Sequence, residues 1–257
     1  MKRRQLIRYG GVGLISAIAT VGISSGRSMA QSDSQKVTIQ YLGHTCFLFT
    51  SDNLQVLVNP FRPAGCTSGY SLPTQAPDLV LVSSFLLDEG AIEDVPGNPQ
   101  VLTQAGDYNI GGIKFQGIST PHDREGGRRF GRNVVWRWTQ GGVNIVHLGG
   151  AAAPITTEEK IFLTNPDVLF IPVGGGPKAY NPQEAKEAID ILKPKVIVPT
   201  QYLTAAADQD NCDLVTVDEF LNLTDNMEIK KLNTNRIAIK PSDLPVDKTV
   251  IRVFDYS

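Results

Sequence analysis

The residues of this chain that could hold a metal ion or move a proton lie in a few short segments. Ser83-Ser84-Phe85-Leu86-Leu87-Asp88-Glu89 sets two hydroxyls and two adjacent carboxylates behind a run of apolar residues. His122-Asp123 puts an imidazole beside a carboxylate, His147 precedes Leu148-Gly149-Gly150, and His44 is the remaining histidine of three. Imidazoles and carboxylates are the ligands with which zinc activates water, and they are also the common general acids and bases. Each has a plainer reading. Asp88, ahead of Glu89-Gly90-Ala91-Ile92, suits the cap of a short helix. His122 and Asp123 suit a pairing with each other or with Arg128 and Arg129, and His147 suits a satisfied core position. His44 is expected as a turn histidine bonded to backbone rather than as a substrate contact. Ser83 and Ser84 lack the Gly-x-Ser-x-Gly elbow of a hydrolase nucleophile. Gly174-Gly175-Gly176 lacks the Gly-Lys-Ser/Thr ending of a phosphate-binding loop, so no phosphate cradle is expected there.

Strands ending at these segments would have to bring them together. Residues 79–82, an unbroken apolar run after Pro77-Asp78, read as a buried strand of a mixed sheet. The crevice beyond the carboxyl ends of such strands is the usual place for a site. Residues 37–41 alternate as a half-buried strand, residues 46–49 form a second, and residues 54–58 form a third after a turn at Asp52-Asn53. Residues 100–103 and 107–118 read as short antiparallel strands turning at Gly111-Gly112, and residues 134–138 and 143–146 as the next hairpin. Strands are also expected at 167–171, 195–198, 236–240 and 250–254. Thr156 suits the cap of one helix. Asn181-Pro182 opens another through Leu192, with Ala185, Ala188, Ile189 and Leu192 on one face. A third helix is expected near residues 217–223.

Gly43-His44-Thr45-Cys46-Phe47, the following hairpin and Asn59-Pro60-Phe61, taken with the strand-end segments above, resemble the metallo-β-lactamase fold. The likeness is to its ascorbate-phosphate lactonase-like branch of metal-dependent hydrolases, over residues 37 to about 204. It implies an α/β fold, a four-layer αβ/βα sandwich of two mixed β-sheets with helices on the outer faces, as a single domain at residues 31–257. It also implies a two-metal site whose ligand positions here are Ser84, Leu86, Asp88, Glu89, His122, Gly150 and Gln201. The family's Thr-His-x-His-x-Asp-His stands as Ser83 to Glu89, and its His-Leu-Gly-Asp ends in Gly150. Its Pro-x-His-Tyr reads Pro199-Thr200-Gln201-Tyr202. Asp88 and His122 alone keep the family's residue type. Serine is a poor zinc ligand, leucine is none and glycine has no side chain, so a dinuclear zinc centre is not expected. The expectation is a catalytically degenerate protein without a metal cofactor. Its cleft, with His44, Asn59, Asp123, His147 and Tyr202 about it, would bind a small molecule or a protein partner. The alternative is a hydrolase with one Zn, Mn or Fe ion held by Asp88, Glu89 and His122, assisted by Gln201.

The chain opens with Lys2-Arg3-Arg4-Gln5-Leu6-Ile7-Arg8, a glycine-broken apolar run, and Ser28-Met29-Ala30 before Gln31. This is the layout of an export signal over residues 1–30, and the paired arginines resemble the twin-arginine type. Export would place the protein in the periplasm, or in a thylakoid lumen if the source is photosynthetic, with no stable membrane span after cleavage. Residues 1–30 carry five bases and no acid, so their removal leaves 19 of 24 bases against 26 acids, a net charge of −7. That surface argues against a nucleic-acid partner. An oxidising compartment favours disulfides. In the resembled fold the loops bearing Cys66 and Cys212 open onto one face, which implies a Cys66–Cys212 bridge across the cleft. Cys46, in the second strand, is expected as a buried, inert thiol.

Overall fold

The computed structural model describes residues 35–51 and 54–256. The export signal expected at residues 1–30 and the turn at Asp52-Asn53 lie outside the described residues. The first strands are β1 (Val37–Gly43), β2 (Cys46–Ser51), β3 (Leu54–Val58), β4 (Leu79–Leu81) and β5 (Gln100–Leu102). A run of long hairpins follows: β6 (Gly106–Ile110), β7 (Ile113–Pro121), β8 (Arg132–Gln140) and β9 (Val143–His147). Then come α1 (Thr157–Leu163), β10 (Val168–Pro172), α2 (Pro182–Leu192), β11 (Val196–Thr200) and α3 (Val217–Leu221). The tail supplies β12 (Glu228–Lys231), β13 (Arg236–Ile239) and β14 (Val250–Val253).

Two mixed sheets result. One runs β13-β1-β2-β3-β4-β5 and the other β12-β14-β11-β10-β9-β8-β7-β6. Alternation in β1 turns Val37, Ile39 and Tyr41 inward. They meet Phe115, Trp136, Trp138, Ile145 and Phe170 from the other sheet in one apolar layer. This is the expected sandwich. Its outer layers differ from the expectation in one respect. α1, α2 and α3 send Leu163, Ala185, Ile189, Leu192 and Phe220 onto the second sheet. The outer face of the first sheet is covered instead by Phe61, Tyr70, Ile92 and Val95 from irregular chain. Among the described residues no α-helix lies there.

Two local expectations are corrected. β5 pairs parallel with β4, not antiparallel with the following strand. Residues 82–99 form a long crossover that returns the chain in the same direction, as parallel neighbours require. β12 was not legible, because Glu228-Ile229-Lys230-Lys231 has no apolar alternation. It is an edge strand beside β14, where lysines keep a sheet margin from pairing with other chains.

The arrangement serves one end of the sandwich. β3 and β4 run parallel, as do β9, β10 and β11. Their carboxyl ends therefore deliver Asn59, Ser83, His147, Gly174 and Gln201 to the same edge. β7, antiparallel to β8 as β9 is, brings His122 to that edge too.

Candidate functional site

At that edge the polar side chains fall into two tiers. The lower tier is built on Glu89, which is completely buried. Ser84 Oγ donates to its Oε2 at 2.9 Å, and His122 Nε2 lies 3.3 Å from the same oxygen. Gln201 Nε2 donates to Oε1 at 3.4 Å. Local chemistry explains how Glu89 gets there. Residues 85–89 form a turn in which the Glu89 and Gly90 amides bond the Leu86 carbonyl. A side chain at Gly90 would meet the Ser84 carbonyl at 2.1 Å, so glycine closes the turn. Asp88 caps no helix here, because none forms.

The upper tier faces a cleft of about 700 Å3. His44, Leu86, Asp88, Lys178, Gln201, Phe130 and Leu214 are among the residues lining it. Asp88 accepts from Lys178 Nζ at 2.5 Å and lies 3.3 Å from His44 Nε2. Burial works to raise the Asp88 pKa, but His44 and Lys178 outweigh it and hold the carboxyl well below the usual range. His44 is indeed a turn residue, its amide bonded to Tyr41 Oη at 3.0 Å. Its ring, however, is turned to Asp88 rather than to backbone. The Cys66–Cys212 disulfide is present and both cysteines line the cleft. Cys46 is free and buried, and burial pushes its thiol pKa up.

The remaining residues anticipated about the cleft are placed elsewhere. Asn59 lies beneath it and accepts the Ser83 amide at 2.9 Å, tying two strand ends together. Asp123 pairs with neither His122 nor the Arg128 and Arg129 side chains. Its carboxylate accepts the amides of Glu125, Gly127, Arg129 and Phe130, closing the loop on itself. Those amides overcome the cost of burial and lower its pKa. His147 is the satisfied core residue it resembled: Nε2 donates to the Thr45 carbonyl at 3.1 Å, and Nδ1 accepts the Gly149 amide. Burial drives its pKa down to about 4. Tyr202 lines a separate cavity of about 630 Å3 with Tyr41, Phe254 and Tyr256. Lys178 was missed, although the glycines before it marked a tight loop at a strand end.

Asp88 and Glu89 are adjacent in sequence yet engage different partners. Among the described residues no group of three or more His, Cys, Asp or Glu side chains is positioned to share an ion. Asp88, Glu89 and His122 therefore do not form the anticipated three-ligand set.

A family model described as the beta-lactamase superfamily domain matches residues 38–201. The chain belongs to the beta-lactamase superfamily. Relatives within it include a UPF0173 metal-dependent hydrolase of Methanoculleus marisnigri, 26% identical over 68% of this chain and 85% of its own. One from Thermococcus onnurineus is 24% identical over 65% of this chain and 85% of its own. A solved Thermotoga maritima protein of the metallo-beta-lactamase superfamily superposes with a TM-score of 0.66 at 29% identity. That match covers 85% of this chain and 98% of the other. The superfamily fold thus accounts for both sheets and for the shared edge where the two tiers sit.

The lower tier also shifts the titration of His122. Burial opposes protonation of its ring, but the Glu89 carboxylate beside it prevails and raises its pKa. Among the described residues, three of the five non-glycine residues at positive φ, His44, Asn59 and Gln201, lie at this edge. Such backbone is costly for ordinary side chains and gathers where a site fixes it.

Proposed function

We propose that this chain is an exported member of the superfamily in which the two-metal hydrolytic centre has been given up, and that its cleft binds a small molecule or protein partner. The observation that carries this reading is the Glu89 cluster. Four positions that the family resemblance assigns to metal ligands form one group, in which Ser84, His122 and Gln201 each direct a polar atom at Glu89, while His122 Nδ1 and Gln201 Oε1 are left without a partner among the described residues. The residues present do not fit a dinuclear centre. Leu86 puts an apolar side chain at a ligand position, Gly150 offers no donor, and the amide of Gln201 points a donor at Glu89. The relatives are named metal-dependent hydrolases. Catalytic zinc requires about three protein ligands with an open position, and this set does not supply them.

The cleft itself is suited to binding. It combines a charged group at each side of an ion pair, Asp88 and Lys178, with the apolar surfaces of Leu86, Phe130 and Leu214. Metal analysis of the purified chain after mild chelation tests the reading: well under 0.1 equivalent of zinc, manganese or iron is expected. One equivalent per chain would overturn it. Export is tested separately by replacing Arg3 and Arg4 with lysine, which should retain the precursor inside the cell. Unchanged export of that variant would point to the general secretion route.

A further inference from the structure

Gly150 has an environment that its backbone does not explain. Its φ lies outside the positive region, so a side chain there carries no conformational penalty. What bars a side chain is occupancy. A Cβ at Gly150 would lie 1.9 Å from Glu89 Oε1 and 2.8 Å from His122 Cε1. The carboxylate of Glu89 thus fills the space into which residue 150 would project. It reaches that space from a different strand end, with Ser84, His122 and Gln201 around it.

We propose that Glu89 and Gly150 are a compensating pair, in which the carboxylate at 89 stands where a side chain at 150 would stand. The inference rests on the metal-free reading above and adds a specific mechanism to it. Glu89 holds Gln201, whose side chain lines the cleft, and Ser84, which opens the turn carrying Leu86 and Asp88 into it. Hydrogen bonds to one buried carboxylate thereby join three strand ends. Glu89 is the shared acceptor of that network, and removing it would leave the buried Ser84 and Gln201 donors unpaired. A carboxylate on residue 150 and one on residue 89 cannot both be housed, because they would occupy one volume with like charge.

A double-mutant cycle tests the pair on the purified chain, with thermal unfolding midpoints read before and after chelation. Gly150→Asp alone should lower the midpoint by about 5–10 °C or prevent folding, and so should Glu89→Ala alone. The double variant should be more stable than either single, because the carboxylate returns to the vacated volume. Gly150→Ala supplies a gentler arm: destabilising with Glu89 present, and clearly less so in the Glu89→Ala background, where the His122 contact remains. Additive losses, or a double variant that unfolds below both singles, would overturn the proposal. Should neither single fold, recovery of folded double variant supports the pair and its continued absence overturns it. A midpoint of the unaltered chain that falls on chelation would sink the metal-free reading, while the sign of the coupling still decides the pair.

Discussion

His147 and His122 are both buried imidazoles at strand ends, yet their surroundings move their titrations in opposite directions. The folded value of His147, about 4, lies below the ordinary imidazole value of about 6.5. The unfolded chain therefore takes up the proton first as acid is added. The His147 contribution is complete above about pH 6.5, falls between there and pH 4, and amounts to on the order of 3 kcal/mol. His122 carries the opposite sign: its raised folded value favours the native state below the ordinary imidazole pKa, and this is lost as pH rises through the raised one. Asp88, held low, contributes above the ordinary carboxylate value and loses that contribution as pH falls below it. Urea unfolding of the wild type and His147→Gln at pH 7.5 and 4.5 separates these effects. The stability gap between the two proteins should narrow by about 2–3 kcal/mol on acidification. A gap that stays constant would show that His147 is not buried neutral.

At the scale of elements, the cleft depends on loops held by single side chains. Arg124 reaches from the loop after β7 to the loop after β10. It donates to the carbonyls of Gly176 and Ala179 at 3.0 and 2.9 Å, and pairs with Glu184 in the first turn of α2. That grip frames Lys178 and hence the ion pair with Asp88. Arg124→Ala should raise amide exchange across residues 174–180 while leaving β10 and β11 protected, at a cost of about 1–2 kcal/mol. Uniform exchange in both proteins would show that the loop is held by other means. The turn at residues 85–89 is governed by Gly90 in the same way. Gly90→Ala drives a methyl group into the Ser84 carbonyl and should lower stability by about 2–3 kcal/mol in thermal unfolding.

For the molecule as a whole, the Cys66–Cys212 bridge joins segments separated by 146 residues across the mouth of the cleft. Closing so long a loop removes much freedom from the unfolded chain, worth about 5 kcal/mol in the loop-entropy model. Thiol counting on unreduced, denatured protein should find one free thiol, that of Cys46. Three would refute the bridge. Reduction should lower the urea midpoint by an amount matching several kcal/mol, and a Cys66→Ser/Cys212→Ser variant should show the same loss without reductant.

The sequence by itself determined most of the elements and their order, though not β12 or the pairing of β5. The alternation in residues 37–41, the apolar run at 79–82 and the Asn181-Pro182 cap follow from local rules of period and capping, and each appears where those rules put it. It also told that Leu86 and Gly150 are unsuited to a metal, because that follows from residue type alone. What only the tertiary structure decided was who meets whom. Asp88 and Glu89 are neighbours in the chain, but a tight turn sends one to Lys178 and the other beneath Gly150. Lys178 sits 90 residues from its partner and Gln201 sits 112 from Glu89, so no spacing rule connects them. The same holds for Asp123, whose four amide partners depend on how its loop closes, and for Tyr202, which turns into the neighbouring cavity. Residue type limits what a position can donate or accept. Only the packing of the two sheets brings those donors and acceptors within hydrogen-bonding reach of one another.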